Sequence, residues 1–305
     1  MTKIMNVFLK YLGLIVIVMG YSSLAHAFTC QVPATGQILG AGTANVYVNL
    51  TPSIGVGQNL IVDLSNSILC KNDSTNGVIV DSVTLTGGSA YGGALSAFSG
   101  TLNWNGSSFP FPLTGNSSTY QITNTSYQGL ALQLYLRATG AAGGVVISSN
   151  DLIATLNMYK IATDGNPNNF VWNIYASNNV VIPTGGCDVS SRNVNVTLPD
   201  YPGTTAIPLT VHCAQNQSLS YYLTGQTLST DPSIFLNTAA SSGAQGIGVQ
   251  LSNGSGIITA NNHVSLGTVG PSPVSLGLNA TYARTTGQLV AGNVISLVGV
   301  TFLYQ

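Results

Sequence analysis

The sequence predicts an all-β fold organised as two β-sandwich domains. Beyond residue 27, no long segment spaces its apolar residues with the period of a helix. Short runs alternate apolar and polar residues instead, and glycine, asparagine and proline interrupt these runs at short intervals. The 278 residues that follow residue 27 (305 − 27) are enough for two domains.

The first 27 residues have the features of an export signal. Two early lysines supply positive charge, residues 11–19 (YLGLIVIVM) form an apolar core, and residues 25–27 (AHA) match a small-residue cleavage pattern. A membrane anchor is the alternative, but the apolar run is shorter than the roughly 20 residues that span a bilayer. We therefore predict a signal peptide at residues 1–27 and a mature chain that starts at Phe28.

Three stretches illustrate the predicted strands. Residues 44–50 (ANVYVNL) place Val46 and Val48 on the same face, because successive side chains of a strand point to opposite sides. Residues 170–176 (FVWNIYA) and 245–252 (QGIGVQLS) alternate in the same way. Trp172 lies in one of these apolar runs, and we expect it in the core.

A short segment, residues 183–186 (PTGG), divides the mature chain. Proline stiffens the backbone and glycine lets it bend, so this segment is predicted to be a short linker rather than a long flexible tether. We predict an N-terminal domain at residues 28–182 and a C-terminal domain at residues 187–305.

Charged residues are scarce. The chain has 7 Lys+Arg and 8 Asp, with no Glu, and removal of the two lysines of the signal leaves a net charge of 5 − 8 = −3. This composition lacks the basic footprint of a nucleic-acid-binding protein. It also lacks a polybasic patch for anionic lipid. We expect no nucleic-acid partner.

The mature chain contains four cysteines: Cys30, Cys70, Cys187 and Cys213. An even number of cysteines in an exported chain indicates disulfides. The natural pairing is sequential, Cys30–Cys70 and Cys187–Cys213, with one bridge in each predicted domain. A zinc site would favour paired CxxC spacing, which the sequence lacks, so we expect no metal and no cofactor.

The last residues, 292–305 (GNVISLVGVTFLYQ), predict a strong strand. One side of this strand carries Val294, Ser296, Val298, Val300, Phe302 and Tyr304. An ordinary last strand of a sandwich is one interpretation. Such an apolar strand needs neighbours on both edges, however, because an open edge is a template for aggregation.

This ending resembles that of pilus subunits of the chaperone–usher pathway. Gly292 is the fourteenth residue counted from the end and Tyr304 is the penultimate one, which matches the family's chaperone-recognition motif. The resemblance implies an immunoglobulin-like pilin domain that lacks its last strand. A periplasmic chaperone first supplies the strand, and the next fimbrial tip subunit then supplies it by donor-strand complementation. The resemblance implies the outer-membrane usher as a further partner.

The other end of the mature chain suggests where such a subunit sits. Ordinary pilus subunits donate an N-terminal extension to a neighbour, whereas only two residues precede Cys30 here. We therefore expect a subunit that accepts a strand but donates none, at the distal tip. The α-amino group of Phe28 would be largely cationic at neutral pH and held near a disulfide, where it could donate to sugar hydroxyls.

The whole mature chain resembles the two-domain tip adhesins of type 1-like fimbriae. The matching stretches cover both domains: 42–52, 57–65, 88–101, 109–112, 170–176, 183–190, 198–203, 280–284 and 291–294. The resemblance implies an N-terminal lectin domain that binds glycans of host cell-surface glycoproteins. It also implies export through the periplasm to the tip of cell-surface fimbriae, and an N-terminal phenylalanine whose amino group contacts the sugar.

The resemblance carries over a set of site residues, motif by motif. Asn72 and Asp73 lie in the matching CKNDS stretch, and Asp81 lies in VIVDS. A carboxylate suits a sugar, because it accepts charge-assisted bonds from two hydroxyls. The implied carbohydrate-binding residues are Phe28, Leu39, Asn72, Asp73, Asp81, Lys160, Asn166, Asn168 and Phe170.

Residues 158–170 (MYKIATDGNPNNF) bear on which sugar is bound. Mannose-specific members have glutamine in place of Lys160, and tyrosines where this chain has Ser74 and the region of Thr163. The segment instead resembles a sister group that binds galactose and N-acetylgalactosamine through a lysine and an asparagine. Galactose or N-acetylgalactosamine is thus favoured, with mannose as the alternative.

Two other classes of function are alternatives to a lectin. A glycosidase needs a pair of carboxylates at a defined separation, and Asp73 with Asp81 is a candidate pair. Glutamate is absent, however, and no HExxH or GxSxG motif occurs, so we predict that the chain is not an enzyme. A structural pilus subunit without sugar specificity is the remaining alternative.

Overall fold

The computed structural model describes residues 28–74, 78–139 and 143–304. The predicted signal peptide lies outside the described residues. The described chain is almost entirely β-structure, and its named helical element is a short 3-10 helix at Gly93–Leu95. The all-β prediction is confirmed.

The described residues of the N-terminal half form sixteen strands: β1 (Phe28–Val32), β2 (Gln37–Leu39), β3 (Gly42–Val48), β4 (Gln58–Asp63), β5 (Leu69–Asn72), β6 (Asp81–Leu85), β7 (Ala90–Tyr91), β8 (Gly100–Trp104), β9 (Ser107–Phe111), β10 (Tyr120–Ile122), β11 (Gln128–Gly129), β12 (Leu132–Arg137), β13 (Gly144–Ile147), β14 (Leu152–Ala162), β15 (Pro167–Ala176) and β16 (Val180–Pro183). They form sheets with the orders β11-β5-β1-β2, β10-β6-β14-β15-β3, β4-β12-β8-β9 and β13-β16, and β7 pairs with β14.

Twelve strands follow: β17 (Cys187–Val189), β18 (Thr204–Ala206), β19 (Thr210–Cys213), β20 (Gln217–Gly225), β21 (Thr227–Leu228), β22 (Asp231–Leu236), β23 (Ile247–Asn253), β24 (Gly256–Ile257), β25 (Val264–Val269), β26 (Val274–Ser275), β27 (Asn279–Arg284) and β28 (Val298–Tyr304). Their sheets have the orders β17-β19-β26, β18-β27-β23-β22-β21 and β25-β20-β28, and β24 pairs with β23.

Two separate hydrophobic cores lie on either side of residues 183–186. The first contains Phe28, Trp104 and Trp172, all at most 1 % exposed, and it extends to Ile182. The second begins at Cys187 and includes the fully buried Tyr221. Two packed sandwiches account for both cores, since each sheet covers one apolar face of another.

Alternation in the sequence correctly identified the faces of the strands. In β15, Phe170, Trp172, Ile174 and Ala176 are buried while the residues between them are not. The parallel pairing of β15 with β3 then brings Val46 and Val48 onto the same buried face. Trp104 closes a hairpin at the end of β8 and donates from Nε1 to the carbonyl of Ser118 at 2.9 Å.

The structure contains both disulfides. Cys30 and Cys70 are directly opposite each other in the β1–β5 pair, and Cys187 faces Cys213 in the β17–β19 pair. The first bridge therefore ties the strand that begins at Phe28 to the strand that ends at Asn72.

The predicted strand at residues 292–305 is wrong in its extent. The structure forms β28 only from Val298 to Tyr304, where it pairs with β20. Before it, the amide of Asn293 donates to the carbonyl of Ser242 at 2.7 Å, and the amide of Ile295 donates to Asn237 Oδ1 at 2.9 Å. These two backbone amides are thus bonded to a loop and to a side chain, and they are not available for pairing with a neighbouring strand.

Candidate functional site

The ends of four strands converge at one tip of the N-terminal sandwich. Phe28, the first residue of β1, is opposite Asn72, the last residue of β5. Asp81, the first residue of β6, is opposite Ala162, the last residue of β14. The antiparallel register therefore assembles the predicted site from segments that are far apart in sequence.

A buried ion pair lies at the centre of this tip. Lys160 Nζ is 3.1 Å from Asp81 Oδ1, and their side chains are 2 % and 0 % exposed. From Leu156 onward, the buried positions of β14 are Leu156, Met158, Lys160 and Ala162, so the lysine occupies a place in the core-facing stripe. Because Ala162 is opposite Asp81, Lys160 reaches the carboxylate diagonally across the strand pair.

Two further contacts hold the ammonium group of Lys160. It donates to the backbone carbonyl of Asn166 at 3.3 Å. It also lies 5.6 Å from the ring centroid of Phe28, within the range of a cation–π contact. The predicted first residue of the mature chain and the predicted specificity residue are therefore direct neighbours.

Aromatic rings form the wall beneath the ion pair. Phe28 packs edge-on against Phe170, with ring centroids 5.6 Å apart, and Phe170 stacks on Trp172 at the same centroid distance. All three side chains are at most 1 % exposed. This rigid apolar wall lowers the local dielectric and strengthens the interaction between Lys160 and Asp81.

Burial raises the pKa of the Asp81 carboxyl, while the hydrogen bond and charge of Lys160 oppose that rise. The negative charges of Asp164 and Asp73 push the pKa of Asp81 further upward. Among the described residues, Asp81 Oδ2 has no hydrogen-bond donor although it is buried. Such an unpartnered carboxylate oxygen is costly unless a ligand or water supplies a donor.

Asn72 is buried, and its side chain organises the surrounding loops. Its Nδ2 donates to the carbonyls of Ile79 at 2.7 Å and Ile122 at 3.3 Å, and its Oδ1 accepts from the amide of Ser74 at 2.6 Å. Both donors of the amide are thus committed to the protein, and Oδ1 retains one further acceptor position.

Asp73 belongs to a second ion pair, at the rim. Its Oδ1 is 2.6 Å from Lys71 Nζ, and the two side chains are partly exposed. Its Oδ2 is buried and has no donor among the described residues. The site therefore contains two carboxylates, each held by a different lysine.

The remaining predicted residues surround this centre. Asn166 directs its side chain toward Asp164, with Nδ2 2.7 Å from Oδ2, and reaches Lys160 only through its backbone carbonyl. Asn168 donates from Nδ2 to the carbonyl of Gly40 at 2.7 Å, just beyond Leu39. Leu39 is partly buried and packs on the core.

Sequence reasoning missed three residues at this tip: Lys71, Tyr127 and Asp164. Asp164 lies in the turn-prone segment DGNP, whose composition is a signal for a tight loop beside Lys160. No sequence signal indicated Tyr127, because it approaches only when β11 pairs with β5.

The C-terminal sandwich carries a separate apolar groove of about 500 Å³. Its lining includes Val194, Val196, Leu198, Leu223, Val249, Leu251, Val294, Ser296, Val298 and Val300. Four of the alternating residues predicted from the C-terminal sequence therefore line it, while Phe302 and Tyr304 pack against the core. A side chain at Gly292 would collide with the backbone of Ser242 and Ala244, which explains the glycine there.

Comparison with known proteins identifies the family. Residues 30–173 match the family model described as FimH, mannose binding. The chain is also 54% identical over 292 residues to the type 1 fimbrin D-mannose specific adhesin of Escherichia coli strain K12, which covers 95% of this chain and 97% of that protein. The chain belongs to the FimH family of fimbrial tip adhesins. As a member it is an adhesin of cell-surface fimbriae and not an enzyme.

Two further similarities accompany this assignment. The adhesin is 40% identical over 303 residues to the S-fimbrial protein subunit SfaH of Escherichia coli O6:K15:H31, covering 94% of this chain and 100% of that protein. It also matches the CupB6 tip adhesin of Pseudomonas aeruginosa at 16% identity, covering 84% and 86% of the two chains, with a TM-score of 0.29. That TM-score is too low to support a conclusion.

Within ranges 28–74, 78–139 and 143–304, no helix of the adhesin has the length and apolar character needed to cross a membrane. The same part of the chain contains no cluster of His, Cys and Asp suited to a metal ion.

Proposed function

We propose that the adhesin binds the terminal sugar of host glycans at the tip formed by Phe28, Asp73, Asp81 and Lys160. The observation that carries this proposal is the buried Asp81 carboxylate, whose Oδ2 has no donor among the described residues. A sugar hydroxyl supplies that donor, and hydrogen bonds to an ionised carboxylate are roughly twice as strong as neutral ones.

The mature N-terminus supports the same proposal. Cleavage after Ala27, as the sequence predicts, leaves the α-ammonium of Phe28 at the start of β1. The disulfide between Cys30 and Cys70 and the buried Phe28 ring hold this strand in place. The ammonium is then a fixed cationic donor on the residue opposite Asn72, suited to the hydroxyl oxygens of a sugar.

The sugar that we favour is galactose or N-acetylgalactosamine, with mannose as the second candidate. The preference rests on Lys160. Its ammonium group contacts Asp81 Oδ1, so that only the second oxygen of this carboxylate remains for ligand hydroxyls. Lys160 also adds a charged donor that a neutral glutamine would not provide. The match to a mannose-binding family model is the reason to keep mannose as the alternative.

A glycan array probed with the full mature chain, starting at Phe28, tests the proposal. We expect binding to terminal galactose or N-acetylgalactosamine, and loss of binding in Asp81→Asn and in a variant with one glycine added before Phe28. Asp63→Asn is the matched control, because Asp63 lies at the end of β4 outside the site. Binding to mannose alone would favour the second candidate, and silence of the unchanged protein on all glycans would contradict a sugar site.

We further propose that the C-terminal groove accepts a donor strand. After export into the periplasm, a periplasmic chaperone would provide the first strand. The next fimbrial subunit would then replace that strand, with the outer-membrane usher as a further partner in assembly. The support is an apolar groove beside β28, lined along its length by alternating residues of the C-terminal segment. An extended peptide adds to such an edge by main-chain hydrogen bonds, with side chains in the groove.

We also propose that the mature chain divides into two domains, at residues 28–182 and 187–305. The two hydrophobic cores support it. Pro183 is the last residue of β16, so the linker of residues 183–186 would begin inside a strand.

A further inference from the structure

We propose that Lys71 is a positioning residue of the sugar site. Seated over the ring of Tyr127, it holds Asp73 Oδ1 from outside the tip and thereby presents Asp73 Oδ2 as an acceptor for the glycan. This inference rests on the proposed sugar-binding function and assigns roles to two residues, Lys71 and Tyr127, that the sequence did not indicate.

The sheet itself sets the position of Lys71. Along β5, Cys70 and Asn72 face the core, so Lys71 points to the opposite face. On that face it is flanked by Thr29 of β1, its register partner. Gln128 of β11 is opposite Cys70, and continuing that antiparallel register by one residue places Tyr127 opposite Lys71.

The contacts of the ammonium group give Lys71 two partners. Its Nζ lies 2.6 Å from Asp73 Oδ1 and 5.2 Å from the ring centroid of Tyr127. The hydrogen bond to Asp73 raises the pKa of Lys71. Because both ends of the ion pair are partly exposed, it adds little to stability, and its value lies in orientation.

The contact with Lys71 fixes the orientation of the Asp73 carboxylate. With Oδ1 held by Lys71, the carboxylate is not free to exchange its two oxygens by rotation. Its Oδ2 is buried and has no donor among the described residues, which is the state of an acceptor kept for a ligand. Asp73 is also close enough to Asp81 to raise the pKa of that residue, so both carboxylates serve one site.

The test measures glycan affinity of the full mature chain in a double-mutant cycle. Lys71→Met removes the ammonium and keeps an unbranched stem, and we expect the affinity to fall about tenfold. Lys71→Arg restores a cation for both partners and should recover most of the loss. In an Asp73→Asn background, Lys71→Met should cause no further loss. Arg137→Met, which removes one cation from β12, in a sheet that does not contain Lys71, is the control and should bind like the unchanged protein.

Two results of the affinity measurement overturn the inference. One is unchanged affinity in Lys71→Met, and the other is an equal loss from Lys71→Met whether or not Asp73 is present. A measurement without ligand separates this failure from that of the proposed function: the pKa of Lys71, followed by carbon-13 NMR of its Cε, should fall in Asp73→Asn. If the unchanged protein binds no glycan, the proposed function fails, while an unchanged Lys71 pKa in Asp73→Asn refutes the contact itself.

Discussion

Lys160 Nζ lies 3.1 Å from Asp81 Oδ1 in a pair that is almost completely buried. Lysine and aspartate are rarely buried to this degree unless they are paired. Asp81 fills the first core-facing position of β6 and Lys160 the next-to-last of β14, where an apolar sandwich would be expected to continue. This placement supports the sugar-binding role that we propose for the pair.

Removing the lysine should destabilise the N-terminal sandwich. Lys160→Met leaves the Asp81 carboxylate buried without its counter-ion, and breaking a buried pair in this way costs about 3–5 kcal/mol. The double variant Asp81→Asn with Lys160→Met should cost less than the two single changes added together. Urea unfolding followed by tryptophan fluorescence measures this, because Trp104 and Trp172, the chain's two tryptophans, lie in the N-terminal core. Strict additivity of the three variants would contradict the pairing.

Sugar binding should weaken in acid. Burial raises the pKa of Asp81 above its ordinary value of 3.8, so the carboxylate takes up a proton at a higher pH than a free aspartate. Affinity should be constant at neutral pH and fall as the pH decreases, with a midpoint above 3.8. The stability of the fold should change with pH in the opposite direction to the affinity, because the folded chain binds the proton of Asp81 more tightly than the unfolded chain does. Stability therefore falls as the pH rises from 3.8 through the raised pKa.

The acid dependence is measured by isothermal titration calorimetry over a series of pH values. Asp63→Asn should leave the midpoint unchanged. A midpoint at or below 3.8 in the unchanged adhesin would contradict the role of Asp81.

Asn59 should fix the path of the linker. This fully buried side chain donates from Nδ2 to the carbonyls of Pro183 at 2.8 Å and Gly185 at 2.9 Å. Asn59→Asp removes both donors and places a carboxylate against two carbonyl oxygens, so a loss of about 1–3 kcal/mol is expected. Faster protease cleavage within residues 183–186 should accompany it. Asn45→Asp, at an exposed position where the side chain only accepts a hydrogen bond, should have neither effect.

A charge in the C-terminal groove should prevent donor-strand binding. Val249 lies in the floor of the groove and is 8 % exposed, so Val249→Asp places a carboxylate where an apolar donor side chain would pack. We expect loss of the complex with the periplasmic chaperone, measured by co-purification from the periplasm. Ile257→Asp is the matched control, because Ile257 is 62 % exposed in β24 and does not line the groove. Equal recovery of both variants with the chaperone would argue against this groove as the strand site.

The predicted strands succeeded where alternation was regular. Residues 44–50 and 170–176 fall within or beside β3 and β15, and Val46, Val48, Phe170, Trp172 and Ile174, which alternate along them, are buried. The prediction failed for residues 292–297, which alternate equally well but bond to a loop. Alternation predicts which face a residue would occupy in a strand. Whether the strand forms depends on whether a neighbouring segment pairs with it.

Most members of the candidate site could be named from sequence because they lie in motifs matching known tip adhesins. The roles of these residues could not be predicted from the sequence. Asn72 has both amide donors engaged with backbone carbonyls, and Asn166 reaches Lys160 through its main chain rather than its side chain. Sequence identifies residue types, whereas hydrogen-bond partners depend on where other segments pass.

The sequence by itself determined the all-β class, the even set of cysteines, the low charge and the family. These are properties of composition, local periodicity and motif, which need no knowledge of distant contacts. Only the tertiary structure decided that Lys160 meets Asp81 inside the core, that Lys71 meets Asp73 and Tyr127 at the rim, and that the C-terminal strand is short. The two lysine contacts depend on strand register, because a shift of one residue would turn these side chains to the opposite face. The length of the last strand depends on the hydrogen bonds that Asn293 and Ile295 make to a loop and to a side chain.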